Sequence, residues 1–252
     1  MIPALSGIIR PSPKGLYCPE GDFYIDPRQP VARAVITHAH ADHARPGSAS
    51  YLCAEPGKTL LQTRMGRGAN IRSLAYGERL RINAVVLSLH PAGHILGSAQ
   101  VRLEQGGHIC VVSGDYKADA DPTCAPLEPQ ACHTFISEST FGLPIFKWPA
   151  QAQLNQEIHA WWQANQAQGR TSVLFAYALG KAQRILAGLD AAQGPSLTHG
   201  AVEKITQCYR QAGIALPATR YISDGEDRRL FAKALVLTPP SADHAAWLKR
   251  FP

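Results

Sequence analysis

Residues 38–43 concentrate side chains that bind metal ions. The run Thr37-His-Ala-His-Ala-Asp-His43 carries three imidazoles and one carboxylate within six residues. Histidine nitrogen and aspartate oxygen are the ligands of catalytic zinc, whereas closed structural zinc sites mostly enlist cysteine. The alternative interpretation is an exposed histidine-rich loop. Further histidine and aspartate ligands elsewhere in the chain would favour the metal site.

Two such residues occur downstream in similar settings. His94 lies within His90-Pro-Ala-Gly-His-Ile-Leu-Gly-Ser98, and Asp115 lies within Val111-Val-Ser-Gly-Asp-Tyr116. Each sits in a glycine-bearing turn after a predicted strand, where a side chain can be presented at the rim of a sheet. A single histidine in a loop is usually only a polar surface residue. Together with the run at 38–43, both residues are interpreted as metal ligands.

Short strands in the first half of the chain must position these side chains. Apolar runs predict strands over Val31–Ile36, Leu80–Leu89, Val101–Glu104 and Ile109–Ser113, and a helix over Lys58–Met65. Gly106-Gly107 between the last two strands indicates a hairpin turn. This half is therefore β-rich, and the histidine run follows directly after its strand.

The second half of the chain has a helical and α/β pattern. Leu154, Ile158, Trp161 and Trp162 form one apolar stripe of an amphipathic helix, which predicts that both tryptophans pack in a core. The strand Ser172–Tyr177 followed by a helix over residues 180–186 is typical of an α/β unit. We therefore expect two domains, residues 1–145 and residues 146–252.

Composition places the chain in the soluble globular class. It has 252 residues, 45% of them apolar, and a formal net charge of +6. No apolar run approaches the roughly 20 residues of a membrane helix, and the proline-containing N-terminus does not resemble a secretory signal, so we expect a cytoplasmic protein with no membrane partner. The six cysteines show no paired spacing that would indicate a disulfide framework. The excess positive charge favours a polyanionic partner such as nucleic acid.

The motif order resembles a known superfamily. A strand, then H-x-H-x-D-H, A-G-H-x-x-G-S and S-G-D, is similar to the metallo-β-lactamase superfamily, which implies an α/β (α+β) fold, an αββα sandwich with metals at one edge. Phe135-Ile-Ser-Glu-Ser-Thr140 and the segment from Phe175 to Arg184 resemble its β-CASP branch, nucleases of DNA and RNA with an inserted α/β domain. Within that branch, segments 15–18, 22–27 and 171–183 resemble the bacterial ligase-associated DNA exonucleases, a group also described as mRNA 3′-end processing factors.

The resemblance implies a role for each motif residue. It assigns His38, His40 and His94 to one zinc, Asp42 and His43 to a second, and Asp115 to a bridge between them. Asp26 would orient the histidine loop without itself binding a metal. Glu138 matches the acidic motif and joins Asp42 and Asp115 as a catalytic carboxylate, the alternative being that it caps a turn. Lys181 is a candidate contact to the substrate backbone.

The sequence departs from the family pattern at its C-terminus, because the resemblance implies a chain that continues well past Pro252. Family members return from the inserted domain to complete the sandwich, and an S-D-H-like segment there supplies another histidine to the second metal. The nearest counterpart here, Ser241-Ala-Asp-His244, follows Pro239-Pro240 and is a poor match. We therefore expect a C-terminally incomplete member whose second zinc site lacks one ligand.

The predicted activity is zinc-dependent hydrolysis of phosphodiester bonds, as a DNA exonuclease in DNA repair. Two nearby zinc ions can supply a hydroxide at neutral pH and neutralise charge on phosphate oxygens. The alternatives are an RNA-processing ribonuclease of the same branch, a small thioester or lactam hydrolase of the superfamily, and a weakly active form that only binds nucleic acid. The resemblance further implies nucleic acid as a partner, DNA in preference to RNA. It also implies two protein partners, an ATP-dependent DNA ligase and a helicase.

Overall fold

The computed structural model describes residues 7–222, 228–243, 248–249 and 251. The chain divides into two compact units, Met1–Thr140 and Phe141–Pro252. The domain boundary expected from the sequence falls between residues 145 and 146. His244, the nearest counterpart of the family's further histidine ligand, lies outside the described residues.

The first sheet of unit 1 contains six strands in sequence order, β1-β2-β3-β4-β5-β6. The first two pairings are antiparallel, and β3, β4, β5 and β6 run parallel. Its strands are β1 (Arg10–Ser12), β2 (Gly15–Cys18), β3 (Phe23–Ile25), β4 (Arg33–Val35), β5 (Ser50–Ala54) and β6 (Ile71–Leu74). Because β3 and β4 are parallel neighbours, the residues that follow them emerge at the same edge.

The second sheet has the order β11-β10-β9-β8-β7. Its strands are β7 (Leu80–Ile82), β8 (Val85–Pro91), β9 (Ala99–Gln105), β10 (His108–Val112) and β11 (Thr134–Ile136). The hairpin predicted at Gly106-Gly107 joins β9 to β10, with φ of 54° and 79° at the two glycines. The single strand predicted over Leu80–Leu89 is wrong, because Asn83 adopts a left-handed φ of 53° and turns the chain back between β7 and β8.

The two sheets enclose the main core of unit 1. Both contribute fully buried side chains, among them Phe23, Ile25 and Val35 from the first sheet and Leu87, Leu89 and Leu103 from the second. Helix α1 (Lys58–Met65), which has the predicted bounds, packs with Leu61 against the other face of the first sheet, beside Ile36 and Tyr51. Unit 1 is therefore a two-sheet sandwich covered by a helix on the first sheet.

Unit 2 is an α/β unit around a parallel four-stranded sheet of order β12-β15-β13-β14. Its elements are α2 (Gln151–Ala167), β12 (Ser172–Phe175), α3 (Lys181–Ala187), β13 (Ser196–Thr198), α4 (Gly200–Gln211), β14 (Thr219–Tyr221), α5 (Arg228–Phe231) and β15 (Leu235–Thr238). The predicted strand and helix of residues 172–186 correspond to β12 and α3.

One prediction for helix α2 is wrong. Trp162 is fully buried, and its indole nitrogen donates to the Lys233 carbonyl, but Trp161 is 41% exposed. The two residues are adjacent and point about 100° apart on the helix, and the core covers only the side on which Trp162 lies. Among the described residues, no helix is long and apolar enough to cross a bilayer. The six cysteines all lie within the described residues, and none of them forms a disulfide.

Candidate metal centre

Strand direction brings the motif residues of unit 1 to the sandwich edge. Asp26 directly follows β3, and the run beginning at Thr37 follows its parallel neighbour β4. In the second sheet, β8 and β10 both run antiparallel to β9, so His94 after β8 and Asp115 after β10 emerge at one end. The Ala99 amide donates to the Thr37 carbonyl at 2.8 Å and joins the two sheets there.

Four side chains converge on one point. The Nδ1 atom of His40 lies 3.0 Å from His38 Nε2 and 3.2 Å from His94 Nε2. Asp115 Oδ2 lies 3.7 Å from the Nε2 atoms of both His38 and His94. These four potential ligand atoms all lie within 4.8 Å of one another. We call His38, His40, His94 and Asp115 the four-ligand set.

The geometry and chemistry of this set fit zinc. Ligand atoms held at about 2.0 Å around a tetrahedral ion are separated by about 3.3 Å, close to the separations seen between the ring nitrogens. The Nδ1 atom of His40 has either one proton or one lone pair, so it cannot form full hydrogen bonds to both neighbouring rings at once. The approach of all three rings is the arrangement that a shared cation would require. Three nitrogens and one oxygen suit zinc better than magnesium or calcium, which prefer oxygen.

A second set of donors adjoins the first. His43 Nε2 lies 3.6 Å from Asp42 Oδ2 and 3.3 Å from Asp115 Oδ1. Asp115 therefore presents one carboxylate oxygen to each set, which is the geometry that a bridging ligand requires. Asp42 is 74% exposed, so its side chain stands at the open side of the site. We call Asp42, His43 and Asp115 the three-ligand set.

Asp26 determines which ring nitrogens are available for metal binding. Its Oδ2 atom accepts from the Thr37 hydroxyl at 2.5 Å and from His43 Nδ1 at 2.8 Å, and its Oδ1 atom accepts from the Thr37 amide at 2.8 Å. Because the Thr37 hydroxyl donates its hydrogen to Asp26, its oxygen must accept a hydrogen bond from His38 Nδ1, 3.1 Å away. Both histidines thus use Nδ1 as a donor and direct Nε2 toward the ligand sets. One carboxylate fixes a ring in each set.

Burial and charge act differently on these two histidines. Burial lowers the pKa of His38 well below its usual value, and the neighbouring imidazoles lower it further, so the ring is neutral and keeps its lone pair. Burial also disfavours protonation of His43, but hydrogen bonds to Asp115 and Asp26 outweigh it and raise the pKa of His43 to about 10. The His43 hydrogen bond likewise lowers the pKa of Asp115 against the opposing effect of burial. A cation that binds His43 must therefore displace a proton from Nε2.

Close backbone packing holds the loop that carries His94. A β-carbon at Gly97, where φ is +74°, would lie 2.1 Å from the Gly57 α-carbon, so only glycine fits. The Ser98 hydroxyl accepts from the amides of His94 and Ile95 at 3.0 and 3.2 Å. These contacts fix the direction in which His94 leaves the loop.

Two other predicted site residues, Glu138 and Lys181, have local contacts of their own. Glu138 follows β11, the parallel neighbour of β10, so it leaves the sheet at the same edge as Asp115. Its Oε2 atom accepts from the Thr140 amide at 2.6 Å, which is the turn-capping contact considered as the alternative. Lys181 begins α3 in unit 2, with its ammonium 5.5 Å from the centre of the Tyr177 ring.

Three residues of the site were not identified from the sequence. The Thr37 hydroxyl links Asp26 to His38, and Ser98 fixes the His94 loop; both lie inside the quoted motifs, so their position was a usable signal. Arg64, in the last turn of α1, is the third. Burial lowers the pKa of its guanidinium and the nearby Asp42 carboxylate opposes that shift. Nothing in the local sequence of α1 indicated that Arg64 lies near Asp42.

Comparison with known proteins identifies one relative that matches nearly the whole chain and others that match about half of it. The sequence is 32% identical over 240 residues to a probable DNA ligase of Opitutus terrae, a match that covers 94% of this chain and 23% of the relative. Endoribonuclease YSH1 of Kluyveromyces lactis is 32% identical over 125 residues, covering 48% of this chain and 16% of the relative. An RNase J-like protein of Methanocaldococcus jannaschii is 31% identical over 120 residues, covering 46% and 28%. The chain thus spans about a quarter or less of the first two relatives.

The structure also resembles a crystal structure of a protein of unknown function from Enterococcus faecalis V583. The TM-score is 0.54 at 10% identity, over 82% of this chain and 58% of that one, which supports the fold alone. No family model matches the sequence. The relatives named as ligase, YSH1 endoribonuclease and RNase J-like protein share one family, and the chain belongs to it: the β-CASP branch of the metallo-β-lactamase superfamily.

Proposed function

We propose that this chain provides the metal-dependent nuclease site of a β-CASP protein and hydrolyses phosphodiester bonds. The observation that carries the proposal is the position of Asp115, which presents Oδ2 to the four-ligand set and Oδ1 to His43. Two adjoining donor sets that share one carboxylate suit a substrate with charge on both an attacked and a leaving oxygen. Nuclease relatives in the same family support that choice of substrate over a thioester or a lactam.

Each residue of the site has its own task in this proposal. The four-ligand set would hold one zinc, and Asp42, His43 and Asp115 would hold the other. Bound zinc would act as a Lewis acid on a phosphate oxygen and lower the pKa of a water molecule. Asp26 and Thr37 keep His38 and His43 in the tautomers that leave Nε2 for the metal. Glu138 remains the candidate third catalytic carboxylate because it emerges at the same edge as Asp115.

We infer that DNA is the substrate and that the activity is exonucleolytic, in DNA repair. The relative matched along 94% of this chain is named a probable DNA ligase, and a nuclease linked to a ligase would act on DNA ends. The names YSH1 endoribonuclease and RNase J-like protein support the RNA alternative, but each match covers less than half of this chain. A DNA ligase and a helicase remain the proposed partners, the helicase on the sequence resemblance alone, and Lys181 remains a proposed contact to the nucleic-acid backbone.

The test is a digest of end-labelled single-stranded DNA and RNA by the zinc-loaded chain and by Asp115→Asn. The substitution removes the charge of the shared carboxylate at nearly constant volume, so cleavage should fall by about 100-fold or more, in the range of lost transition-state stabilisation by a central charged group. Asp119→Asn is the matched control, because Asp119 is an exposed aspartate of the same loop. Equal cleavage by Asp115→Asn and the parent chain would refute the proposed site. Release of single nucleotides from DNA only would support the exonuclease, and internal cuts in RNA only would support the alternative.

A further inference from the structure

Residues 141–148 of unit 2 expose an unusual amount of apolar surface. Five large apolar side chains in this eight-residue stretch are 39–74% exposed: Phe141, Leu143, Ile145, Phe146 and Trp148. Folded proteins rarely leave contiguous apolar side chains in water, and patches of this kind mark binding surfaces. We call residues 141–148 the aromatic segment.

The three aromatic rings of this segment are ordered against one another. The Phe146 and Trp148 rings are parallel within 7°, with centroids 6.4 Å apart. The Phe141 ring stands edge-on to both, at 5.1 Å from Phe146 and 5.3 Å from Trp148. Phe141 therefore braces two rings whose faces share one orientation. A planar ligand could stack on these faces without any reordering of the rings.

The charge around the segment indicates what kind of ligand that would be. Residues 141–156 contain one charged side chain, Lys147, which is exposed, and no aspartate or glutamate. The chain as a whole carries a net charge of +6. A ligand with planar groups and negative charge matches this surface, whereas a hydrophobic protein segment would use the apolar surface but not the charge.

We propose that the aromatic segment binds single-stranded nucleic acid, with bases stacked on Phe146 and Trp148 and a backbone phosphate near Lys147. Aromatic side chains beside basic residues bind single strands in this way without sequence preference. Bases in a duplex are already stacked within the helix, so the segment selects single strands. The inference rests on the proposed nuclease function and adds to it a binding site outside the metal centre.

The test measures the anisotropy of fluorescent oligo(dT) and oligo(U) of about 15 nucleotides, a length near the upper site size of single-strand binding modules. All variants carry Asp115→Asn so that cleavage does not interfere. The double substitution Phe146→Leu/Trp148→Leu should weaken binding of single strands by about 10-fold or more and leave duplex binding within about twofold, whereas Trp148→Phe should retain most of the affinity. Comparison of oligo(dT) with oligo(U) shows whether the site favours DNA or RNA.

Trp161→Leu is the matched control, because Trp161 is also an exposed tryptophan of unit 2 but lies on α2. Unchanged melting temperature and zinc content show that a variant is folded. Unaltered single-strand binding by the folded double variant, or an equal loss in Trp161→Leu, would overturn the stacking site. Sedimentation velocity supplies another refutation: a dimer that dissociates in the double variant while oligonucleotide binding persists would assign the segment to self-association. If the parent chain binds single strands through the segment yet cuts neither DNA nor RNA, the nuclease proposal fails and the stacking site stands.

Discussion

Gly114 packs directly against the side chain of Thr37. A β-carbon at Gly114, where φ is +57°, would lie 2.6 Å from both the β-carbon and the hydroxyl oxygen of Thr37. Gly114 immediately precedes Asp115, and Thr37 immediately precedes His38. One contact between the two sheets therefore sets the distance between a bridging carboxylate candidate and a histidine of the four-ligand set.

Gly114→Ala should lose both stability and bound zinc. The left-handed backbone costs a β-carbon about 1–2 kcal/mol, and overpacking against Thr37 adds about 1–3 kcal/mol. Gly106→Ala separates the two effects, because Gly106 has a similar φ of 54° with nothing within 4 Å of the added carbon. We expect Gly106→Ala to lower stability to denaturant while retaining its zinc. The same zinc content and the same stability in the two variants would show that the Thr37 contact is unimportant.

Thr37→Val should weaken zinc binding by about 10- to 100-fold, as the loss of a hydrogen-bond partner of a metal-binding side chain commonly does. Valine keeps the shape of threonine but can neither accept a hydrogen bond from His38 Nδ1 nor donate one to Asp26, so the His38 ring loses its fixed tautomer. Thr37→Ser keeps the hydroxyl and should bind zinc nearly as well as the parent chain. Competition with a chromophoric chelator measures both affinities. Equal affinities for the valine and serine variants would contradict the proposed role of the Thr37 hydroxyl.

Local patterns in the sequence were enough to predict several elements. Helix α1 has the predicted bounds, and the hairpin at Gly106-Gly107 is present because two successive glycines allow the positive φ angles of a tight turn. The strand predicted over Leu80–Leu89 failed because the apolar pattern continues across Asn83, whose left-handed conformation is not visible in that pattern. The prediction that Trp161 packs in a core failed because the apolar stripe of α2 is wider than the face that the core covers.

The candidate ligands could be named from the sequence because their types and spacing are unusual, but their support could not. Asp26 and His43 are 17 residues apart and meet only because β3 and β4 pair in parallel. The approach of Arg64 to Asp42 depends on how α1 packs on the first sheet. Such contacts arise from tertiary structure, so motif spacing carries no signal for them.

Acid stability should depend on Glu104, which accepts two hydrogen bonds from Arg79, at 3.0 and 2.7 Å, and also pairs with Arg102. These arginines hold the pKa of Glu104 at about 2 in the folded chain. Because the folded pKa lies below the unfolded one, the pairs stabilise the fold above about pH 4.5 and this contribution disappears as the pH falls toward 2. The pairs are partly exposed, so Glu104→Gln should cost only about 1 kcal/mol near neutral pH.

Urea unfolding at a series of pH values measures this effect as the difference between the parent chain and Glu104→Gln. Glu20→Gln removes the same charge from an exposed position of unit 1 and serves as the control. The difference for Glu104→Gln should shrink at acidic pH and that for Glu20→Gln should stay near zero throughout. A difference that is constant between neutral and acidic pH would show that the arginine pairs do not stabilise the fold.

The two ligand sets should differ in how tightly they hold zinc. The four-ligand set supplies three ring nitrogens and one carboxylate oxygen, whereas the described residues give the other set only Asp42, His43 and the second oxygen of Asp115. A zinc ion with fewer protein ligands, one of them on a largely exposed side chain, binds more weakly. We therefore expect about one tightly bound zinc per chain after dialysis, with a second that appears only when zinc is added.

Three variants test this difference between the ligand sets. His40→Ala should remove the tightly bound zinc, and His43→Ala should remove only the weakly bound one. His108→Ala should retain both, because His108 stacks on His133 away from the site. Metal analysis before and after dialysis reads out both ions, and a tight zinc that survives in His40→Ala would disprove the four-ligand set.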